Sequence, residues 1–344
     1  MKHNNQIPSQ ILIYFILLIL LIFTNSNGLY SKDSLFIPKE EFKYANSYRY
    51  TLFGEQPRKE TTLNPLRTGL VIGGITTLFT VQHIAQSQTI WKEGAEFKIQ
   101  EDGAYSLYVD KPGHFLSGYT ASYIFGEAMY VAGMKPKHAT LFGGMFGWLY
   151  LNYIEVMDGF GANFGFSPTD VYFNTAGSAF YILQYYYPYL QNITPKFTML
   201  PADWHGQYRR EGYLFIVDDY SSQSFWLSFN IHNMLPDNLK DYWPSWIDLS
   251  LGYAVRNICN ECNQHDYSKV DVSSYNWGNQ PPALASPKYI VALDFNLTQI
   301  LPDKGPGWLN WTKQTLNLFK WPSPAIEFSK DAPPRYFLLY PFAL

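Results

Sequence analysis

Residues 110–134 read DKPGHFLSGYTASYIFGEAMYVAGM, an apolar segment that opens on a cluster of ionisable side chains. Gly118, Ser122 and Gly126 recur in it at every fourth position, a spacing that puts small residues on one helix face and lets helix backbones approach closely. Ionisable groups rarely stay inside apolar helices unless they are paired or functional. The stretch therefore predicts a closely packed helix that carries one of two features. It is either a functional site or a polar lock, meaning a set of paired polar side chains that fixes how the helices pack.

Three more apolar segments complete a helical region around this one. They cover residues 69–81, 139–157 and 170–190. A membrane-spanning helix needs about 20 apolar residues, and these segments only approach or fall short of that length. The pattern favours a bundle that rests on or in a membrane over a set of four membrane spans.

From residue 225 onward the hydrophobic period changes to two, which is typical of half-buried antiparallel strands. Strands are predicted at 225–232, 247–255 and 289–298, with shorter ones at 325–329 and 336–340 and one helix near 309–320. Five strands are too few to close an outer-membrane barrel. The predicted fold class is therefore α+β: an N-terminal helical bundle of about four apolar helices, then a curved, aromatic-rich antiparallel sheet.

The N-terminus predicts export from the cytoplasm. Lys2 supplies a positive charge, residues 11–23 are apolar, and small residues precede a cut after Gly28, as in a secretory signal peptide. An uncleaved anchor is the alternative. The predicted organisation is a signal peptide over 1–28, a polar leader over 29–65, the helical bundle over 66–200, and a β region with one helix over 201–344.

The composition agrees with a membrane-associated protein of the cell envelope. Charged residues make up 15% and aromatic residues 18% of the chain, whereas soluble domains average about 25% charged residues. Aromatic side chains favour membrane interfaces. The net charge is −3 and the sequence has no basic run, which argues against nucleic acid as a partner.

Cys259 and Cys262 form a C-x-x-C motif with His265 three residues further on. An oxidising compartment favours a disulfide between them. The alternatives are a redox motif, which normally follows a strand and opens a helix, and a metal site, which would need a further ligand. We predict the disulfide.

The polar clusters have helical spacing. Asp110 and His114 are four residues apart, so the carboxylate can orient the imidazole. Glu155 and Asp158, three apart, also share a face. The segment from Ser167 through Pro168 to Asp170 is typical of a helix N-terminus, with serine as the N-cap.

These clusters are expected to converge at one end of the bundle. If they form a functional site, His114 is the acid–base group or a metal ligand, and Asp110 orients it. The remaining roles are metal ligand or base for Glu155, Asp158 and Asp170, contact with an anionic substrate for Lys111, and substrate binding for Asn174. His83, Glu127 and His138 are weaker candidates and are expected to be core or surface residues.

The order D-K-x-x-H-F, E-x-x-D and G-F-S-x-x-D-x-x-x-N-x-x-G over residues 110–177 resembles the YfiM-like family of predicted periplasmic proteins or lipoproteins. It is more distantly similar to the VanZ-like membrane proteins. The later segments at 225–230, 289–298 and 323–328 resemble the longer Bacteroidetes-type members. The family implies a fold and a compartment but no activity, and the lipid-acceptor cysteine of its short members is not matched here.

Two functions of different class follow from these observations. In the first, the protein is a structural or assembly component of the envelope, on the periplasmic side and associated with the outer membrane. Its cluster locks the bundle, and its partner is membrane lipid or an outer-membrane protein. In the second, it is a hydrolase or a metal-dependent enzyme acting on an envelope lipid or glycan. The sequence names no cofactor, and solvent access to His114 would separate the two.

Overall fold

The computed structural model describes residues 35–342, apart from residues 104, 202–218, 257, 259–284, 302, 304 and 331. The predicted signal peptide and the predicted disulfide between Cys259 and Cys262 both lie outside the described residues. Helices occupy the N-terminal half of the described chain and an antiparallel sheet the C-terminal half. The predicted α+β class is confirmed.

Four helices of 19 to 24 residues make up most of the N-terminal half of the described chain. They are α1 (Pro65–Gln88), α2 (Asp110–Ala132), α3 (Pro136–Asp158) and α4 (Pro168–Tyr186). Three of them begin with proline. Proline lacks a backbone N–H, and this costs no hydrogen bond in the first turn, because the N–H groups there have no acceptor within the helix. Their boundaries follow from local chemistry as well as from packing.

Helix α1 extends beyond the predicted apolar segment at both ends. The side chain of Asn64 caps its start by accepting a hydrogen bond from the backbone N–H of Arg67 at 3.0 Å. The helix then continues past residue 81 through polar residues to Gln88. Within the described chain α1 is the one helix long and apolar enough to cross a membrane, and none of its most apolar window is buried.

Helix α2 packs against both α3 and α4. A Cβ atom added to Gly143 of α3 would lie 2.6 Å from the Cα atom of Gly126 in α2. One added to Gly177 of α4 would lie 2.0 Å from the carbonyl oxygen of Phe115. Real Cβ atoms cannot fit at such distances, so glycine is required at both contacts. The close backbone approach predicted from the small residues is present.

The C-terminal half of the described chain folds into a six-stranded antiparallel sheet whose strands are neighbours in chain order. The strands are β3 (Ile193–Met199), β4 (Gln223–Phe229), β5 (Ile247–Arg256), β6 (Ser286–Phe295), β7 (Ser323–Ser329) and β8 (Ala332–Tyr340). Sequential neighbours need only short connections to pair in this way. Each predicted strand overlaps a strand of this sheet.

The sheet differs from the prediction at three places. Strand β4 ends at Phe229 rather than at residue 232, because the side chain of Asn230 accepts a hydrogen bond from the backbone N–H of Asn233 at 3.0 Å and starts a helical turn. Strand β3 was not predicted, because Pro195 interrupts its pattern; it lies at the edge of the sheet, where proline is tolerated. Strand β6 ends at Phe295 rather than near Thr298. There the side chain of Asn296 accepts a hydrogen bond from the backbone N–H of Thr298 at 3.2 Å and starts a helical turn.

Short elements connect and cover these layers. They are β1 (Lys43–Tyr44), β2 (Ser47–Tyr48), α5 (Ile231–Met234), α6 (Asp237–Lys240), α7 (Leu297–Ile300) and α8 (Gly307–Leu316). Helix α8 lies where the sequence predicts a helix near 309–320. The two short strands form a hairpin in the predicted leader.

The faces of the sheet are sharply different in polarity. Lys196, Asp294 and Arg256 lie on the inner face and are at most 3% exposed. Leu251 and Tyr289 point outward and are 48% and 59% exposed. The sheet thus buries ionisable groups beside apolar ones such as Trp226 and Ile290, and it exposes apolar groups on its outward face.

Candidate functional site

The ends of three helices meet at the predicted cluster. Helices α2 and α4 begin, and helix α3 ends, at the same side of the helical layer. Contacts between Lys111 and Asp170 and between His114 and Asn174 show that α2 and α4 run parallel here. The polar motifs at these ends therefore come together in space, as the sequence analysis anticipated.

The ammonium group of Lys111 is shared by three carboxylates. It lies 2.6 Å from Oδ1 of Asp102 and 2.9 Å from Oδ2 of Asp110, and it also donates to Oδ1 of Asp170. The Lys111 side chain is only 4% exposed. Burial alone would lower its pKa, but the attraction of Asp110 and Asp170 outweighs burial and raises the pKa. Lys111 is therefore a buried cation that holds the cluster together.

The imidazole of His114 contacts a second set of polar atoms. Its Nε2 atom lies 3.3 Å from Oδ1 of Asp110 and 3.5 Å from Oδ1 of Asp170. Its Nδ1 atom lies 3.1 Å from Oδ1 of Asn174 and 3.4 Å from Oε1 of Glu155. Burial opposes the charged imidazolium, but Asp110 stabilises it more and raises the pKa of His114 to about 10. At neutral pH both ring nitrogens therefore carry protons and donate.

The carboxyl groups around His114 are in different protonation states. Burial raises the pKa of Glu155 to about 8 and that of Asp170 to about 7. Burial also opposes ionisation of Asp110, but His114 and Lys111 outweigh it and hold the pKa of this carboxyl well below its ordinary value. Asp110 is thus a fixed anion, whereas Glu155 and Asp170 can exchange protons near neutral pH.

Asp158 lies at the edge of the cluster rather than among these groups. Its Oδ1 atom accepts a hydrogen bond from the indole Nε1 of Trp91 at 2.5 Å, which connects the end of α3 to the segment after α1. Asp158 is half-buried, whereas Glu155 is 4% exposed. This geometry gives Asp158 a structural contact that its spacing from Glu155 did not reveal.

Two members of the cluster were missed by the sequence analysis. Asp102 accepts hydrogen bonds from Lys111 and, at 2.6 Å, from the hydroxyl of Ser167. Tyr220 donates its hydroxyl proton to Oδ1 of Asp110. Both lie outside the α-helices, Tyr220 at the start of a short 3-10 helix, and no periodicity marks them. The predicted N-cap is confirmed, since Ser167 Oγ accepts from the backbone N–H of Asp170 at 3.2 Å.

Solvent reaches the cluster at His114. The side chain of His114 is 23% exposed, whereas those of Asp110 and Asp170 are 6% exposed and that of Glu155 is 5% exposed. The cluster is therefore only partly sealed from solvent. Of these four residues, His114 is half-buried and the three carboxylates are buried.

The cluster has part of the geometry of a cation site. One ligand atom from each of Asp110, His114 and Asp170 lies within 4.8 Å of the others. The ammonium of Lys111 contacts both carboxylates and already supplies a positive charge there. A divalent cation would have to displace that ammonium and take a proton from His114, so the arrangement fits an internal ion network better than a metal.

The three weaker candidates have structural partners elsewhere. Glu127 forms an ion pair with Arg49 at 2.8 Å. His83 hydrogen-bonds to the Tyr153 hydroxyl at 2.6 Å, and Nδ1 of His138 lies 2.7 Å from Oγ1 of Thr61. None of these contacts joins the cluster around Lys111 in the described chain.

Comparison with known proteins gives one match. Residues 99–186 match the model of a family described as predicted periplasmic lipoprotein (DUF2279). No curated protein and no solved structure matches the chain. The matched segment contains α2, α3 and α4, and with them nearly all of the cluster. Over this segment the chain is therefore similar to a family of periplasmic lipoproteins of unknown function, which supports the predicted family resemblance and indicates an uncharacterised protein of the cell envelope.

Proposed function

We propose that the protein is a structural or assembly component of the bacterial envelope that sits against the outer membrane. The observation that carries this proposal is the distribution of side chains. Ionisable groups are buried and paired, while many large apolar groups are exposed. A soluble protein has the reverse distribution, and contiguous exposed apolar surface marks contact with membrane or partner.

The exposed apolar side chains of helix α1 favour contact with lipid. Its exposed residues include Leu66, Ile72 and Ile84, at 62%, 59% and 49% exposure. The 24-residue helix is about 36 Å long at 1.5 Å per residue, which is enough to reach through a hydrocarbon core of about 30 Å. Val71 and Ile75 pack against the bundle, but no residue of the apolar window is fully buried, so lipid is the partner that the outer side of this helix fits.

The exposed face of the sheet favours the outer membrane as the membrane that the protein contacts. Tyr336 and Leu338 of β8 are 77% and 68% exposed, and Leu227 of β4 is 38% exposed. An apolar outward face and a polar inward face are the pattern of outer-membrane strands. As part of the same proposal, we infer that the later strands resemble those of the Bacteroidetes-type members and that the helical motif resembles that of the VanZ-like membrane proteins.

The polar cluster acts in this proposal as the lock of the helical layer. Lys111 connects α2, α4 and the segment that contains Asp102, and Tyr220 adds a contact from the start of the sheet region. Because the main members have partners, burying them can specify one packing arrangement. The cluster would then fix the helices while the apolar surface faces lipid.

Fractionation of the full chain, expressed with its own N-terminus in a bacterial host, tests the proposal. We expect the protein to float with outer-membrane vesicles in a density gradient and to resist extraction at alkaline pH. Recovery as a freely soluble periplasmic protein that stays at the bottom of the gradient would contradict it.

The partial exposure of His114 favours a second candidate, acid–base chemistry on an envelope lipid or glycan. Glu155 and Asp170 titrate near neutral pH beside it, as a general acid or base must. Thermal stability of His114→Gln and Asp170→Asn, with and without chelator, separates the candidates, because both residues belong to the cluster. If the site is catalytic, the substitutions should leave the stability unchanged or increase it. If the site binds a metal, chelator should lower the stability of the wild type. If the cluster is a lock, each substitution should lower the free energy of unfolding by about 2–5 kcal/mol, and chelator should have no effect.

A further inference from the structure

A partly open cavity of about 410 Å³ lies between the helical layer and the sheet. The hairpin β1–β2 covers it, tyrosines of α2 and α4 form one wall, and residues of β3, β5 and α8 complete it. The cluster around Lys111 contributes nothing to its lining. Ligand pockets commonly have volumes of about 300–1,000 Å³, so the cavity is large enough for a small molecule.

Two buried polar atoms at this cavity have no hydrogen-bond partner within the described chain. They are the hydroxyl of Tyr181 and Oδ1 of Asp248. Tyr181 is 6% and Asp248 3% exposed, and both line the cavity. A buried polar atom without a partner costs about 1–3 kcal/mol. Each atom therefore lacks a hydrogen bond, and a ligand in the cavity that reached it would supply one.

Other polar groups of the lining are already fixed in orientation. Oε1 of Gln184 accepts hydrogen bonds from the hydroxyls of Tyr44 and Tyr119, at 2.8 and 3.0 Å. Arg49 is held by Glu127 at 2.8 Å, so its charge is compensated within the protein. The lining thus offers aromatic faces together with oriented amide and hydroxyl groups.

We infer that this cavity binds a neutral, hydroxyl-rich ligand of the size of one or two sugar units. The C–H faces of a sugar ring pack on aromatic rings, while its hydroxyls both donate to a carboxyl oxygen such as that of Asp248 and exchange hydrogen bonds with Tyr181. Aromatic walls favour such an amphipathic ligand over a cluster of water molecules. The exposed side chains of Glu41 and Lys43 also line the cavity, and because their charges are opposite, the lining does not select one sign of ligand charge.

Protonation of Asp248 fits the same ligand class. Burial raises the pKa of this carboxyl to about 7, although Lys196 opposes the effect. Near neutral pH the group can therefore accept from one hydroxyl as the carboxylate or donate to another as the acid. A neutral partner with hydroxyl groups suits both forms. The inference rests on the cavity alone and is independent of the function proposed for the cluster.

Binding of defined saccharides to the detergent-solubilised full chain tests the inference. The probes are maltose, cellobiose and N,N′-diacetylchitobiose, with glucose 6-phosphate as the charged comparison, and saturation-transfer NMR and calorimetry report binding. We expect at least one neutral disaccharide to bind at millimolar concentration or below and to exceed the charged sugar. Failure of all three neutral probes at 10-fold higher concentration, or preference for the charged sugar, would overturn it.

Two conservative variants localise the binding. Asp248→Asn and Tyr181→Phe are each expected to weaken the best disaccharide about tenfold, because each alters one unpaired polar atom. Tyr336→Phe, at an exposed site on β8, is the matched control and should bind as the wild type does. Unchanged affinity in both cavity variants would overturn the assignment, and circular dichroism confirms that each variant is folded.

Discussion

The ammonium group of Lys196 lies 2.7 Å from Oδ2 of Asp294, and both side chains are fully buried beneath the sheet. The hydroxyl of Ser228 also donates to this oxygen at 2.7 Å. A second buried lysine, Lys320, lies 3.7 Å from the other carboxylate oxygen of Asp294. The inner face of the sheet therefore combines this buried ion-pair network with an apolar cluster that includes Trp226 and Ile290.

Replacing Lys196 with methionine is expected to destabilise the protein by about 3–5 kcal/mol, because it leaves Asp294 with its main counter-charge removed in a buried position. Denaturant unfolding of the detergent-solubilised chain, followed by tryptophan fluorescence, measures the loss. The double variant Lys196→Met/Asp294→Leu should recover part of it, since burial lowers the pKa of Lys320 to about 8 and lets this lysine become neutral. Lys137→Met, at an exposed position, is the control. A single variant as stable as that control would refute the pairing argument.

Replacing Lys111 with methionine tests the polar cluster in the same way. Asp102, Asp110 and Asp170 would lose their shared cation, so a loss of about 3–5 kcal/mol in the free energy of unfolding is expected. Lys92→Met, an exposed change near the same end of the helices, should alter stability by less than about 0.5 kcal/mol. If Lys111→Met unfolds no more easily than Lys92→Met, the cluster is not a lock.

The helical part of the site could be predicted because its residues mark helix ends. Asp110 and His114 share one helix face, and Ser167 with Pro168 starts the next parallel helix, so local rules were sufficient. Asp102 and Tyr220 could not be predicted, because their contacts to Lys111 and Asp110 depend on the three-dimensional arrangement of irregular segments. No short-range pattern encodes such contacts.

The sheet shows the same division between local and long-range information. Alternation correctly indicated β5 and β6 and that their two faces differ. It did not indicate that the inner face would hold Asp294 paired with Lys196, because a period of two is the same whichever face is buried. Pro195 hid strand β3, whose position at the edge of the sheet accommodates it.

Stability is expected to fall as the pH rises from about 5 to 9. The folded-state pKa values of Glu155 and Asp170, about 8 and about 7, lie above their ordinary values of 4.5 and 3.8. The folded state therefore binds these protons more tightly, and the stabilisation present at low pH is lost as the pH passes through the folded values. His114 adds a loss of the same sign between its ordinary 6.5 and about 10. Asp110, whose pKa is lowered, acts in the opposite sense and matters only in acid.

Thermal unfolding of the wild type and of Glu155→Gln across this pH range measures the effect. The wild-type unfolding temperature should decrease with pH, and the variant should show a shallower slope because one of the titrating groups is gone. Glu96→Gln, at an exposed position outside the cluster, should follow the wild type. A wild-type profile that is flat or rises over pH 5 to 9 would contradict the protonation states assigned to the cluster.

The exposed face of α1 provides the most direct test of membrane contact. Ile72 is 59% exposed in the N-terminal half of this helix, whose most apolar window has no buried residue. If lipid surrounds this position, Ile72→Lys places a charge in the hydrocarbon region at a cost of about 2.5–3.5 kcal/mol. The fraction of protein that resists alkaline extraction from membranes should then drop, whereas Gln88→Lys, at the exposed end of the helix, should behave as the wild type because a lysine there reaches the interface. Equal retention of both variants would show that α1 contacts water or protein instead, and the apolar outer surface would then require a protein partner.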